Sequence, residues 1–211
     1  MKKIILFALV IFTIVTLCSC SGAKYDESEI KTVIDELLPG SFEMNEIYFG
    51  KGLPISEDRS TLEEFYSGFD TDIEMINYHP VSADCPYQNE TELREATLQI
   101  FTESYAEYLF QRAFSGISAQ IENKEGLTEV HNAIYAMYIE ENGVLTVRLD
   151  LDKDALELNR EYKTDEMRVL SQRDNKIIVV IPTYIDGEFD TDVQIILVNT
   201  PNGWRLDSPT Y

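Results

Sequence analysis

Residues 177–206 read IIVVIPTYIDGEFDTDVQIILVNTPNGWRL, and this stretch decides the fold class. Two apolar runs, at 177–181 and 193–198, lie on either side of Asp186-Gly187, a pair that favours a tight hairpin turn. A second turn signal, Pro201-Asn202-Gly203, precedes the short segment that contains Trp204. The stretch therefore predicts consecutive antiparallel strands joined by short turns.

The same pattern extends upstream of this stretch. Arg173-Asp174-Asn175 predicts a turn after a strand at 167–171. Glu141-Asn142-Gly143 predicts an earlier hairpin between residues 133–139 and 144–149. We therefore expect the C-terminal half of the chain to form a curved antiparallel sheet.

The N-terminal half begins with helical periodicity. Apolar residues recur every three or four positions from 30 to 38, and Asp26 or Ser28 can cap the start of a helix. Pro39-Gly40 predicts the end of this helix. The next apolar residues, at 42–49, predict a strand or irregular packing.

Residues 90–114 carry the clearest helical pattern. Thr91-Glu92-Leu93-Arg94 resembles a capping arrangement, and Thr102 is suited to cap a second helix. We therefore expect two helices that meet near residue 102. Before them, residues 61–69 predict a short helix and residues 75–81 an extended segment.

Helices followed by antiparallel strands are the pattern of an α+β domain. We expect N-terminal helices packed on one face of the curved C-terminal sheet, which is a meander. These elements are expected to form a single α+β domain over residues 26–211, in one or two lobes. The helical part is expected at about 26–116 and the mainly β part at about 117–211.

The first residues differ in composition from the rest of the chain. Lys2 and Lys3 precede an uncharged, largely apolar run at 4–17. A bilayer span needs about 20 apolar residues, so the run is short for a membrane helix and suits a secretory signal. An uncleaved N-terminal membrane helix is the less favoured alternative.

The last residue of this run and the three that follow it, Leu17-Cys18-Ser19-Cys20, resemble the lipobox of bacterial lipoproteins. The resemblance implies cleavage between Ser19 and Cys20 and attachment of a diacylglyceryl group to Cys20. Cys18 departs from the family's usual small residues. Residues 1–19 would then be the signal peptide and residues 20–25 the lipidated cysteine and its tether. Two or three acyl chains give stable attachment to the extracytoplasmic face of the cell membrane.

The chain is strongly acidic, with 17 Lys and Arg against 38 Asp and Glu and a formal charge of −21. Removal of residues 1–19 takes away two lysines and no acid, which leaves −23. Nucleic acid and anionic lipid surfaces are therefore poor partners. Cations, basic proteins and amine-bearing wall components are better ones, and an acidic surface that serves solubility alone is the alternative.

Residues that could carry out catalysis are sparse. Cys85 is the one cysteine left after Cys18 is removed and Cys20 is lipidated, so it is a reactive thiol or a small buried hydrophobe. His79 and His131 lie in no metal-binding spacing, and the chain has none of the common hydrolase or phosphate-binding motifs. The sequence predicts a protein that is not an enzyme and has no cofactor.

One acidic stretch matches part of an EF-hand calcium loop, in which hard oxygen ligands converge on one cation. Position 6 of the loop is Ala155 where the sharp turn requires Gly, and position 8 is Glu157 where an aliphatic residue is usual. An exposed acidic turn is therefore the favoured interpretation. The candidate calcium ligands, at positions 1, 3, 5 and 12, are Asp150, Asp152, Asp154 and Glu161.

Two further segments resemble a known family when they are taken together. The first comprises Tyr78-His79-Pro80-Val81, Leu93-Arg94-Glu95-Ala96-Thr97 and residues 100–107, and the second is the meander at 177–207. They are similar to the secreted inhibitors of cell-wall DL-endopeptidases of Gram-positive bacteria, the IseA type. The resemblance implies an exported, non-catalytic protein that inhibits NlpC/P60-type peptidoglycan hydrolases through an acidic surface. It assigns no individual inhibitory residue.

Two alternatives stay open. Residues 202–207 resemble the terminal strand of nuclear-transport-factor-2-like exported domains, which implies a module of that type, or a cystatin-like one, that binds a small ligand. A structural lipoprotein of the envelope is the other alternative. A deep aromatic-lined pocket would favour the small ligand, and a shallow acidic cleft would favour a protein partner.

Overall fold

The computed structural model describes residues 25–58, 77–115, 136–149 and 160–211, positions 61, 63 and 67, and the backbone of residues 117–122 and 128–134. The helices are α1 (Glu27–Tyr48), α2 (Glu90–Ile100) and α3 (Glu103–Phe110), with a π-helical turn at Gln111–Ser115 and a 3-10 turn at Thr164–Glu166. The strands are β1 (Tyr78–Pro80), β2 (Ile117–Glu122), β3 (Thr128–Ile134), β4 (Tyr138–Glu141), β5 (Val144–Arg148), β6 (Arg160–Tyr162), β7 (Arg168–Arg173), β8 (Lys176–Ile185), β9 (Glu188–Thr200) and β10 (Gly203–Leu206).

Turns with left-handed backbone close the predicted hairpins. Asn142 and Gly143 have φ of 53° and 77°, and Asp186 and Gly187 have φ of 52° and 83°. Positive φ at both central residues defines type I′ turns, whose twist matches that of the flanking strands. The turns pair β4 with β5 and β8 with β9, so both hairpin predictions are confirmed.

Within the described residues the strands form three sheets. The largest has the order β10-β9-β8-β6, and β7 also pairs with β8. The second has the order β1-β5-β4, and the third pairs β2 with β3. The predicted single meander is divided between sheets. β1, which lies before α2 in the chain, pairs with β5, so the β4–β5 hairpin belongs to a different sheet from β6–β10.

Alternate residues of β8 and β9 build the core of the largest sheet. Ile177, Val179, Ile181, Ile195 and Leu197 are at most 2% exposed, while the residues between them are more accessible. This period of two is expected when one face of an antiparallel sheet is buried. The same core contains buried side chains of α1, among them Ile30, Ile34, Leu37 and Leu38.

Helix α1 is longer than the sequence predicted. It continues through Pro39 to Tyr48, so both the predicted end at Pro39-Gly40 and the predicted strand or irregular segment at 42–49 are wrong. A proline inside a helix costs about 3 kcal/mol. Met44 and Ile47 are 2% and 5% exposed, and burying such side chains contributes about 1.5–3 kcal/mol each. The free energy gained by burying the second half of α1 therefore exceeds the cost of the proline.

The two helices predicted in residues 90–114 are both present. The side chain of Asn89 accepts from the backbone N–H of Glu92 at 2.9 Å, so α2 is capped two residues before the predicted Thr91. Thr102 caps α3 by accepting from the N–H of Tyr105 at 3.2 Å, as predicted.

The remaining predictions are met in part. Thr61, Glu63 and Ser67 have helical backbone, and the rest of the helix predicted at 61–69 lies outside the described residues. The strand predicted at 133–139 is two strands, with a bend at Met137 between β3 and β4. Helices together with a curved antiparallel sheet confirm the α+β class.

Candidate functional site

An open groove lies where α2, α3 and the β9–β10 hairpin meet, and we call it the terminal groove. Its volume is about 920 Å³. Its walls combine the C-terminal turn of α2 and the N-terminal turn of α3 with the end of β9 and the start of β10. The lining residues are Glu95, Leu98, Gln99, Phe101, Thr102, Glu103, Ser104, Val198, Thr200, Pro201, Asn202 and Arg205.

Thr102 holds the junction of α2 and α3 on the last strand. Its backbone N–H donates to the carbonyl of Leu206 at 2.9 Å, and its hydroxyl donates to Oδ1 of Asp207 at 2.5 Å. The same hydroxyl accepts from the N–H of Tyr105 and so caps α3. Thr102 therefore fixes the start of α3 and attaches the junction of α2 and α3 to the end of the last strand.

Arg205 links β10 to the C-terminal end of α2. Its Nε donates to the carbonyl of Leu98 at 2.8 Å, and its Nη2 donates to Oε1 of Gln99 at 3.2 Å. The last carbonyls of a helix have no partner within it, and a cation there is favourable. The last turn of α2 has no basic residue of its own. Arg205 supplies this charge from a strand more than 100 residues away.

Polar and apolar groups contribute about equally to the lining of the terminal groove, and acidic side chains stand on it. Glu95 and Glu103 are exposed, while Arg205 is half-buried and bound to α2. The aromatic residue of the lining, Phe101, is 1% exposed and offers no stacking face. A groove of this character suits a protein segment, because small-ligand pockets are mostly apolar and enclose their ligand.

A smaller crevice lies between the start of α1 and the large sheet. Its volume is about 170 Å³, below the 300–1,000 Å³ or so of typical ligand pockets. The rings of Tyr25 and Trp204 meet edge to face there, with centroids 5.0 Å apart. Tyr25 also exchanges backbone hydrogen bonds with the amide of Gln172. The crevice is part of the packing that attaches the start of the domain to the sheet.

The candidate lipidation and calcium residues fall largely outside the described part of the chain. Ser19, Cys20, Asp150, Asp152 and Asp154 all lie there. Within the described residues, no three His, Cys, Asp or Glu side chains are grouped so that they could hold a metal ion.

The fourth calcium candidate is part of a strand. Glu161 lies in β6, where it is paired with Tyr184 of β8, and its carboxylate forms an ion pair with Lys163. The calcium prediction thus remains a prediction, with one of its four ligands engaged by a lysine.

Cys85 lies between β1 and α2, and the two histidines lie in β1 and β3. Cys85 is 5% exposed in the core, and burial raises the pKa of its thiol, which disfavours the reactive thiolate. His79 lies in β1, and burial lowers the pKa of its imidazole. His131 lies in β3.

The sequence predicted the helix cap at Thr102 and the turn at Pro201-Asn202-Gly203, but it did not predict that these two features form one groove. Thr102 was predictable as a helix cap. The bond from Arg205 to Leu98 had no local signal, because the two residues are 107 positions apart.

No described helix is both long enough and apolar enough to cross a membrane. The run at 4–17 lies outside the described residues. Comparison with known proteins finds no protein family and no curated protein that matches this chain.

Proposed function

We propose that this chain is an extracytoplasmic lipoprotein, anchored in the cell membrane through Cys20, whose non-catalytic domain binds and inhibits a cell-wall DL-endopeptidase. The anchor rests on the signal-like run at 4–17 and the lipobox resemblance that ends at Cys20. The choice of partner rests on the resemblance to the IseA type. The terminal groove is the surface that we assign to the partner.

One observation carries the assignment of the groove. The two segments that resemble the inhibitor family are distant in sequence, and both contribute residues to the lining of the terminal groove. Glu95 and Glu103 come from the first segment, and Pro201 and Asn202 come from the second. A basic loop of a hydrolase would meet acidic side chains there, in a chain whose formal charge is −21.

A small-ligand module has less support from the described residues. The buried face of the large sheet is filled by its own apolar side chains and those of α1. The crevice beside Trp204 is smaller than a typical ligand pocket.

The test uses protein lacking residues 1–20, added to a purified NlpC/P60-type DL-endopeptidase that digests peptidoglycan. We expect stoichiometric loss of digestion, and we expect added salt to weaken the inhibition because the interface is charged. Glu95→Lys should weaken inhibition by about tenfold, equivalent to about 1.4 kcal/mol.

The matched control is Glu36→Lys, which reverses an exposed charge on α1 that does not line the terminal groove. This variant should inhibit like the unmodified protein. Equal loss in both variants would mean that total charge matters and that the groove is not the binding surface. Undiminished digestion by every such hydrolase would refute the proposed function.

A further inference from the structure

The start of the described chain is fastened to one end of the large sheet. The N–H of Tyr25 donates to Oε1 of Gln172 at 3.0 Å, and its carbonyl accepts from Nε2 of Gln172 at 2.8 Å. Its hydroxyl accepts from Nδ2 of Asn199 at 3.0 Å, and its ring packs against Trp204. These contacts to β7, β9 and β10 hold Tyr25 in one place.

The tether between this point and the proposed lipid is short. Cys20 and Tyr25 are separated by five peptide steps, which span at most about 18 Å when fully extended. The end of the sheet that holds Tyr25 therefore cannot move farther than this from the lipidated residue. A longer tether would let the domain turn freely, whereas this one keeps the end that holds Tyr25 near the membrane surface.

Two turns lie at the same end of the sheet as Tyr25. The N–H of Asn199 donates to the carbonyl of Asn175 at 2.7 Å, and Nδ2 of Asn175 donates to the carbonyl of Asn199 at 3.1 Å. The turns Asp174-Asn175 and Pro201-Asn202 thus sit beside Tyr25, and we call this end of the sheet the tethered end. The turn Asp186-Gly187 closes the other end of β8, about 30 Å away at about 3.3 Å per residue.

Both ends of the sheet carry acids, so charge does not choose between them. At the tethered end Arg173 and Lys176 are exposed, and so are Asp174 and the acids at 26, 27 and 29 that follow Tyr25. At the far end, acids lie at 186, 188, 190 and 192, and two of them pair with arginines of β6 and β7. The length of the tether therefore decides the orientation.

We infer, on the basis of the lipid anchor proposed above, that the tethered end is the surface that rests against the bilayer. The Asp186-Gly187 hairpin then points away from the membrane into the wall. The terminal groove contains Pro201 and Asn202 of the tethered end, so its partner is bound close to the headgroups. The surface that this end meets is the headgroup layer of the bilayer in which the lipid is anchored.

The single tryptophan of the chain provides the test. Trp204 lies at the tethered end, beside Tyr25. The lipid-bearing protein, purified from membranes, is placed in vesicles of phosphatidylglycerol and phosphatidylcholine that contain dansyl-labelled phosphatidylethanolamine. We expect energy transfer from Trp204 to the dansyl headgroups to be several-fold stronger than transfer from a tryptophan at the far end. That second donor is made by combining Phe189→Trp with Trp204→Phe, since Phe189 is 59% exposed near the far turn.

Two control measurements distinguish a misfolded variant or a missing lipid from a wrong orientation. Circular dichroism and thermal unfolding establish that the double variant is folded like the parent. Mass spectrometry of the peptide that contains Cys20 establishes whether the lipid is present. A chain without lipid overturns the anchor and the orientation together. A lipid-bearing chain with equal transfer from both donors overturns the orientation alone, and neither result depends on whether a hydrolase is inhibited.

Discussion

At the scale of single residues, Tyr138 joins parts of the chain that are distant in sequence. It is fully buried, and its hydroxyl donates to the carbonyl of Ile47 at 2.7 Å. The same oxygen accepts from the N–H of Leu53 at 3.1 Å. The hydroxyl therefore satisfies a carbonyl in the last turn of α1, which has no helical partner, and an N–H of the segment that follows the helix.

Tyr138→Phe should destabilise the protein, because it leaves a buried carbonyl and a buried N–H without partners. We expect a loss of about 1–3 kcal/mol in the free energy of unfolding, measured by urea titration. Tyr108→Phe is the control, since Tyr108 is 50% exposed and its change should stay within about 0.5 kcal/mol. Similar losses in the two variants would contradict the role assigned to the buried hydroxyl.

A half-buried tyrosine also predicts how stability depends on alkaline pH. Burial raises the pKa of Tyr87 from its usual 10.0 to about 12, and its hydroxyl donates to Glu43 at 2.9 Å. A group whose pKa is higher in the folded protein contributes stability that is complete below the unfolded value. That contribution is lost as the pH rises from about 10 through about 12.

We therefore expect the urea midpoint to fall between pH 10 and pH 12, and Tyr87→Phe to make this fall shallower. Tyrosinate absorbance recorded in parallel should rise later in folded than in unfolded protein. Identical absorbance titrations with and without urea would show that the phenols are not protected by the fold.

At the scale of elements, prediction from sequence succeeded where the determinants are local. The I′ turns at Asn142-Gly143 and Asp186-Gly187 follow from residue types that tolerate positive φ. The cap at Thr102 follows from its own hydroxyl. The continuation of α1 beyond Pro39 could not be predicted in this way, because it depends on burial of Met44 and other residues against distant elements.

Gly40 of α1 lies in close contact with the side chain of Ile100 of α2. A Cβ placed there would lie 2.4 Å from Cδ1 of Ile100. Alanine is normally more favourable than glycine inside a helix by about 1 kcal/mol. In this protein that gain is opposed by the shift that Ile100 must make.

A double-mutant cycle of Gly40→Ala and Ile100→Ala tests this contact. We expect Gly40→Ala to be more favourable by about 1 kcal/mol when residue 100 is alanine, a coupling energy typical of residues in contact. Urea unfolding of the parent, both single variants and the double variant gives this coupling. Additive effects would mean that the helices do not approach each other closely at Gly40.

At the scale of the whole molecule, the acidic composition was predictable and the terminal groove was not. Net charge follows from counting side chains, and it limits the possible partners without any knowledge of the fold. The groove depends on Thr102 and Arg205 bonding to residues more than 100 positions away. No local pattern encodes such contacts, so only the folded chain brings the two halves of the groove together.

The excess of acid predicts that salt stabilises the folded state. The sequence has 38 acidic and 17 basic side chains, so most carboxylates have no cation to pair with. Like charges held close together by folding repel one another, and the Debye length falls from about 30 Å at 0.01 M to about 8 Å at 0.15 M. The thermal midpoint should therefore rise between these two salt concentrations, while binding to a basic partner should weaken over the same range.

A variant with fewer acids separates this repulsion from general effects of salt. Asp186→Asn and Glu188→Gln together remove two exposed charges at the far end of the large sheet and leave the ion pairs of Asp190 and Asp192 in place. Because two of the mutually repelling charges are gone, the double variant should start from a higher midpoint at low salt and gain less from added salt. The measurement is the thermal midpoint of both proteins across the salt series. A midpoint that falls with salt in the parent would mean that attractive pairs such as Arg160–Asp190 outweigh the repulsion, and that the acidic surface is balanced within the folded chain.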